Sequence, residues 1–275
     1  MSNKKKNKKK KEKREKKKEE KGAAMLEQIQ SYLDALKLKK TKEIIAGELK
    51  AAQDKKPSYS AFFLNLLRSE YEDKRNRSIQ SRIKQSGLAE LWTLETYPFH
   101  IQQCISKKQH YELAELDFIA RAENVVWIGP TGVGKTGLAS AILFKALYSG
   151  KSGRRIKAQD LFDELGASQA DRSTQAFVQR LSRLDLLLID ELGYVNPRPE
   201  QVNSFFRLID SRNNKKATLI TTNIGYQDWP KFLGNSPLTA ALLNRLLHNC
   251  HTIVFNKGVN LCTPKYGLPG SKSKT

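Results

Sequence analysis

Cysteine is scarce in this sequence: Cys104, Cys250 and Cys262 are the three residues of that type among 275. They are too few and too scattered for a disulfide framework. His248, Cys250 and His251 crowd together, but no matching Cys/His pair exists elsewhere to complete a tetrahedral zinc site, so the cluster reads as structural. Long apolar runs are missing too. None approaches the ~18–20 residues that span a bilayer. The charged N-terminus has no apolar segment behind it of the kind a secretory signal needs. No membrane role is expected, and the expected location is cytoplasmic. Acidic residues are in short supply, with 28 Asp and Glu against 49 Lys and Arg, a formal net charge of +21. No internal repeat is visible.

The distribution of that charge matters more than its total. Residues 1–22 hold thirteen Lys/Arg and four Glu, a net +9, which leaves +12 on the rest of the chain. A body that stays basic without its tail points to a polyanionic partner, most often nucleic acid, with solubility alone as the bland alternative. Residues 1–24 are expected to be a disordered lysine-rich tail, because like charges repel and nothing apolar offsets the entropy of ordering.

From Met25 the spacing turns helical. Leu26, Ile29, Leu33 and Leu36 fall three to four apart, and Ile44, Ile45 and Leu49 continue the pattern after a polar break. Pro57-Ser58 ends that stretch and Ser60 can cap the next helix. That helix carries an apolar stripe of Phe62, Phe63, Leu66, Leu67 and Tyr71, then runs into Lys74, Arg75, Arg77, Arg82 and Lys84. Such a run is either a solvated face or a phosphate-binding one. Residues 25–92 are thus expected to form a small all-α domain that binds DNA or a partner. A linker and a helix over Gln109 to Arg121 follow. From Asn124 strands alternate with helices: Val125–Ile128, Arg155–Lys157, Leu186–Ile189, Thr218–Thr221 and Thr252–Phe255 read as five strands. The alternation implies an α/β core, residues 93–255, with a parallel sheet covered on both faces. Residues 256–275 form a C-terminal tail.

The most specific signal is Gly129-Pro130-Thr131-Gly132-Val133-Gly134-Lys135-Thr136, a full match to the phosphate-binding loop pattern between a strand and a helix opened by Gly137. Gly132 and Gly134 let the backbone wrap closely around phosphate oxygens, and the helix N-terminus adds its positive dipole end. Lys135 is expected on the β- and γ-phosphates of ATP and the Thr136 hydroxyl on Mg²⁺. Asp190 follows the apolar strand Leu186–Ile189 and is the second expected Mg²⁺ holder, with Glu191 placed as general base toward the attacking water. Asn223, at the tip of the next strand, either orients that water or closes an Asx turn. Arg245 sits on an otherwise apolar helix and needs an anion: either the γ-phosphate held by a neighbouring subunit or an acid of its own chain.

These residues resemble the IstB/DnaC-like AAA+ ATPases, and within them the IstB transposition helpers of bacterial insertion elements. The likeness runs from about Leu26 to Phe255. Its more specific parts are Phe62-Phe-Leu-Asn-Leu-Leu67 with Glu70 and Arg75, Asp190-Glu-Leu-Gly-Tyr194 and Asn244-Arg-Leu-Leu-His248. The resemblance implies an AAA+ P-loop core with a five-stranded parallel sheet and ATP-dependent assembly of many subunits around duplex DNA. It also implies a partner transposase from the same element. It assigns Asn223 as a sensor, Arg245 as the arginine supplied to a neighbour's ATP, and Phe118 and Ile119 to the vicinity of the adenine. DNA contacts are expected from Lys74, Arg75, Arg77 and Arg82 and, on the core, Arg154, Arg155 and Lys157. No recognition helix stands out, so little sequence preference is expected. A replicative helicase loader of the DnaC type, acting on single-stranded DNA, is the competing reading. A nucleotide-gated DNA clamp with incidental hydrolysis is a third.

Overall fold

The computed structural model describes residues 2–166, 173–234 and 236–262. The chain divides into two compact units, Met1–Ser78 and Ile79–Thr275.

The first unit holds α1 (Ser2–Ala35), α2 (Lys39–Lys55) and the start of α3 (Tyr59–Gln85), within which the division falls. Residues 2–24 are helical, where the charge run suggested disorder. Lys, Arg and Glu are good helix formers, and the stretch contains neither proline nor a β-branched residue to oppose them. Leu38, which precedes α2, offers no capping side chain. Glu70 of α3 supplies one instead: its Oε2 accepts from the Thr41 amide at 2.9 Å and from Thr41 Oγ1 at 3.2 Å. A carboxylate there satisfies an orphan N–H and faces the positive end of the helix dipole. α3 is opened by Ser58, whose Oγ accepts from the Ala61 amide at 3.2 Å, and not by Ser60.

The second unit begins within α3, ahead of the expected boundary at residues 92/93. Ile83, Leu88 and Trp92 pack against the apolar cluster on one face of the sheet, so this stretch belongs with the core. The expected helix over Gln109–Arg121 is two pieces, α4 (Lys107–Leu113) and α5 (Asp117–Ala120), broken where Leu116 takes a positive φ of 69°. Then come β1 (Asn124–Ile128), α6 (Lys135–Tyr148), β2 (Gly153–Lys157), α7 (Ala158–Gly166), α8 (Ser173–Arg183), β3 (Leu186–Leu192), α9 (Pro199–Arg212) and β4 (Ala217–Thr222). A 3-10 turn (Tyr226–Asp228), α10 (Trp229–Leu233), α11 (Ser236–Leu247) and β5 (Cys250–Val254) complete the unit.

The five strands form one sheet in the order β2-β3-β4-β1-β5, every pairing parallel. Period-two alternation explains why their sequences are apolar throughout. Leu186 and Leu188 enter the apolar cluster that holds α6, while Leu187 and Ile189 enter the one that holds α7 and α9. Central strands buried on both faces leave their carboxyl ends as the open part of the sheet, and ligands bind there in folds of this kind. Arg212 ties α9 to the sheet from within: its guanidinium, 1% exposed, donates to Leu181 O at 2.7 Å, Leu184 O at 2.9 Å and Thr218 Oγ1 at 3.1 Å. Among the described residues no helix is long and apolar enough to cross a membrane.

Candidate nucleotide site

β1 ends at Ile128, and residues 129–134 turn into α6. Gly132 and Gly134 have φ of 82° and 90°, a region costly to residues with a Cβ. A Cβ on Gly134 would also come within 2.8 Å of the Tyr97 ring. Thr136 and Lys135 stand in the first turn of α6, beside amides with no helical partner. Lys135 Nζ donates to Gly129 O and Pro130 O, each at 2.8 Å, so the ammonium lies folded over the loop. Burial lowers its pKa, against the pull of Asp190 and Glu191.

Asp190, at the end of β3, is fully buried. Its Oδ1 accepts from Thr136 Oγ1 at 2.8 Å and from Thr221 Oγ1 on β4. Its Oδ2 takes two bonds from Arg155 on β2, from Nε at 3.0 Å and Nη2 at 2.6 Å. Thr136 and Asp190, widely separated in sequence, thus present hard oxygen donors at one point, a donor set suited to Mg²⁺. Glu191 lies in an interruption of the β3–β4 register, with a φ of 62° and its amide donating to Thr221 Oγ1 at 2.9 Å. A β-bulge turns one residue out of the sheet's alternation. Glu191 accordingly lines the pocket while Asp190 stays buried. Holding a non-glycine residue at positive φ costs roughly 1–3 kcal/mol, and such strain gathers at functional sites.

The pocket over the loop is a cavity of about 490 Å³, lined by Thr131, Gly132, Lys135 and Thr136 together with Glu191 and Tyr194. Two of these lining residues are joined by a hydrogen bond between Tyr194 OH and Thr131 Oγ1. Glu90, Trp92, Tyr97, Leu261 and Cys262 also line it, and the sequence pointed to none of them as a site residue. Glu90 and Trp92 lay at the end of the expected helical domain, Tyr97 in the linker, and Leu261 and Cys262 in the expected tail. Gln102 draws these stretches together: its Oε1 accepts from the Val259 amide at 2.9 Å and its Nε2 donates to Val133 O at 3.1 Å. Leu261 N donates to Gly132 O at 2.8 Å, so residues 257–262 are part of the core, while residues 263–275 of the expected tail lie outside the described residues.

Other expected site residues fall elsewhere. Phe118 and Ile119 are buried in the apolar cluster, 2% and 8% exposed, and Trp92 and Tyr97 take the pocket wall instead. Asn223 has its Oδ1 buried without a hydrogen-bond partner among the described residues, packed against Gly193, where a Cβ would come within 2.5 Å of it. Arg245 forms an ion pair with Asp210 of α9 and lies over the Phe206 ring at 4.8 Å. Among the expected DNA contacts, Lys74 and Arg75 are exposed, and Arg82 and Arg154 are half-buried. Arg77 is paired with Asp73 at 2.7 Å, and Lys157 lies 3.7 Å from Glu191. Arg155 is turned inward onto Asp190, its side chain 13% exposed, which removes it from the contact surface.

Residues 31–260 match the family described as IstB-like ATP binding protein. The chain belongs to that family. Its relatives include an insertion sequence IS21 protein of Pseudomonas aeruginosa, named for ATP binding, 33% identical over 83% of this chain and 86% of its own length. Another, of insertion sequence IS5376 from Geobacillus stearothermophilus, is also named for ATP binding and is 34% identical over 84% of this chain and 92% of its own. Among solved structures, a DnaC helicase loader aligns with a TM-score of 0.49 and 22% identity, covering 60% of this chain and 96% of that one. The chain is thus an IstB-like ATP-binding protein, with its phosphate loop at the carboxyl end of a five-stranded parallel sheet.

Proposed function

We propose that this IstB-like ATPase binds Mg²⁺·ATP in the pocket over residues 129–136, assembles as an oligomer on duplex DNA, remodels that DNA and engages the transposase of its insertion element. The observation that carries the reading is the convergence of Thr136 and Asp190 at 2.8 Å beneath the phosphate loop, with Glu191 bulged toward the same pocket. In it, Lys135 leaves its two loop carbonyls for the phosphate oxygens, and Thr136 and Asp190 hold the metal. Mg²⁺ at that pair would neutralise charge on the β- and γ-phosphate oxygens. Glu191 polarises the attacking water, and Asn223, whose Oδ1 has no partner among the described residues, orients it. Arg245 exchanges Asp210 for the γ-phosphate of a neighbouring subunit, an exchange favoured by the stronger anion.

The extension to DNA rests on the +21 charge of the chain, of which +12 lies outside residues 1–22. The insertion-sequence names of its relatives support it too. Lys74, Arg75, Arg82 and Arg154 are the phosphate contacts proposed, with little sequence preference. Binding by such contacts falls steeply with salt. The test is binding of the full chain to duplex and to single-stranded DNA, with ATP·Mg²⁺, ADP·Mg²⁺ or no nucleotide, while particle size is followed. Cooperative, ATP-dependent assembly on duplex is the expected result. A preference for single strands would favour a helicase loader instead.

A further inference from the structure

The cation at Asp190 that the chain itself supplies has no place in the hydrolysis scheme above. Asp190 is fully buried, and a buried carboxylate without a counter-charge is costly enough to draw a cation or a proton to itself. Arg155 meets that demand with two hydrogen bonds to Oδ2, leaving Oδ1 to Thr136 and Thr221 on the side of the phosphate loop. The arginine is not free to drift. Its amide donates to Ser86 O at 2.6 Å, and its carbonyl abuts Gly87, where a Cβ would come within 2.6 Å of the oxygen. The turn after α3 therefore pins the outer edge of β2 at the residue whose side chain holds the metal-site carboxylate.

We infer that Arg155 is a positioning residue and the built-in counter-ion of Asp190, and that it makes Mg²⁺ entry conditional on the nucleotide. The inference rests on the reading that Asp190 and Thr136 hold the metal. With Arg155 and Lys135 both near Asp190, a divalent ion arriving alone meets a carboxylate whose charge is already balanced. Repulsion between like charges at such range outweighs what one shared oxygen returns. The phosphates of ATP reverse the balance by bringing several negative charges with the metal. Because both Arg155 bonds fall on Oδ2, the guanidinium keeps the other oxygen aimed at Thr136 and need not leave when the metal enters.

The experiment uses the full chain without nucleotide and follows Tm as MgCl₂ is raised at constant ionic strength. It is run for the unaltered protein, Arg155→Met and Arg155→Lys. The unaltered protein is expected to show no shift. Arg155→Met is expected to gain about 2–4 °C from Mg²⁺ alone, and Arg155→Lys to restore indifference. A merely structural arginine would lower Tm on replacement without creating a response to Mg²⁺. Calorimetric titration of the unaltered, nucleotide-free protein with Mg²⁺ needs no variant, and saturable binding there overturns the inference. So does an Arg155→Met protein that folds and ignores Mg²⁺. ATP affinity in Mg²⁺ against EDTA separates the two layers. A gain with Mg²⁺ upholds the metal reading whatever Arg155 does, and equal affinities would sink the metal reading and the inference with it.

Discussion

The sheet core and the N-terminal helical unit dispose of their side chains in opposite ways. In the core, Val125, Val126, Leu186 to Ile189, Leu219 and Ile220 are wholly buried, and even charges are taken inside, Arg212 on carbonyl oxygens and Asp190 on Arg155. In the helical unit the buried residues, among those described, are Thr41, Ile45, Leu66 and Glu70, while Tyr59, Phe63, Leu64, Leu67 and Tyr71 are exposed. Burial of a large apolar side chain stabilises by roughly 1.5–3 kcal/mol, so the first region holds a wide reserve and the second a narrow one. The difference teaches that the core is held by many redundant contacts, whereas the helical unit depends on a few identifiable ones.

The comparison breaks if the core proves fragile only at the residues of its nucleotide pocket. Arg212→Met removes the donors that Leu181 O, Leu184 O and Thr218 Oγ1 rely on, leaving polar atoms buried and unpaired. The expected loss is about 3 kcal/mol or more of stability, read by denaturant unfolding of the core. An unchanged midpoint would show that the interior of α9 and the sheet rearranges freely. Lys135→Ala should do the reverse, leaving Tm nearly as it was while weakening ATP binding about 10- to 100-fold, measured with a fluorescent nucleotide. Equal ATP affinity would remove Lys135 from the phosphate site.

Much of this site was legible because its chemistry is written in contiguous residues. The glycines of residues 129–134, the lysine and threonine after them, and the apolar strand ending in Asp190 each state their geometry locally. Contacts between distant segments were not legible. Nothing in the sequence announces that Arg155, one of several basic residues in a basic chain, turns inward, or that Glu191 sits in a bulge at positive φ. Tyr97 and Leu261 looked like parts of a linker and a tail because their partners are carbonyls of the loop itself, which no periodicity connects to them. That five strands would pair in parallel followed from alternation, though their order did not. Nor did the break at Leu116, since a leucine at positive φ leaves no glycine to mark it in the sequence.

In the helical unit, Glu70→Ala sharpens the contrast. It strips the cap from Thr41 at the start of α2 and is expected to cost about 1–2 kcal/mol within that unit. Hydrogen exchange should show the Thr41 amide losing protection while β1 and β3 keep theirs and ATP affinity stays as it was. Loss of protection in the strands would mean that the two regions share one cooperative transition, and the contrast would be withdrawn.

The smallest effect expected is one of pH, and it belongs to the core. His110 is buried, its Nε2 accepting from Trp127 Nε1 at 3.1 Å and its Nδ1 2.8 Å from Ser106 O. That pairing needs the neutral ring with its proton on Nδ1. Burial lowers its pKa below the ordinary 6.5, against the opposing effect of the Ser106 carbonyl. The unfolded chain therefore takes up the proton first as pH falls through about 6.5, and in that window it binds more protons than the fold. Stability is fully present above that value and declines below it. A plot of Tm against pH between neutrality and mild acid should slope downward toward acid, and His110→Gln, which can still accept from Trp127, should flatten that component. A slope that survives the substitution would assign the acid sensitivity to other groups. It would also show that the core bears the charged imidazole more easily than its burial suggests.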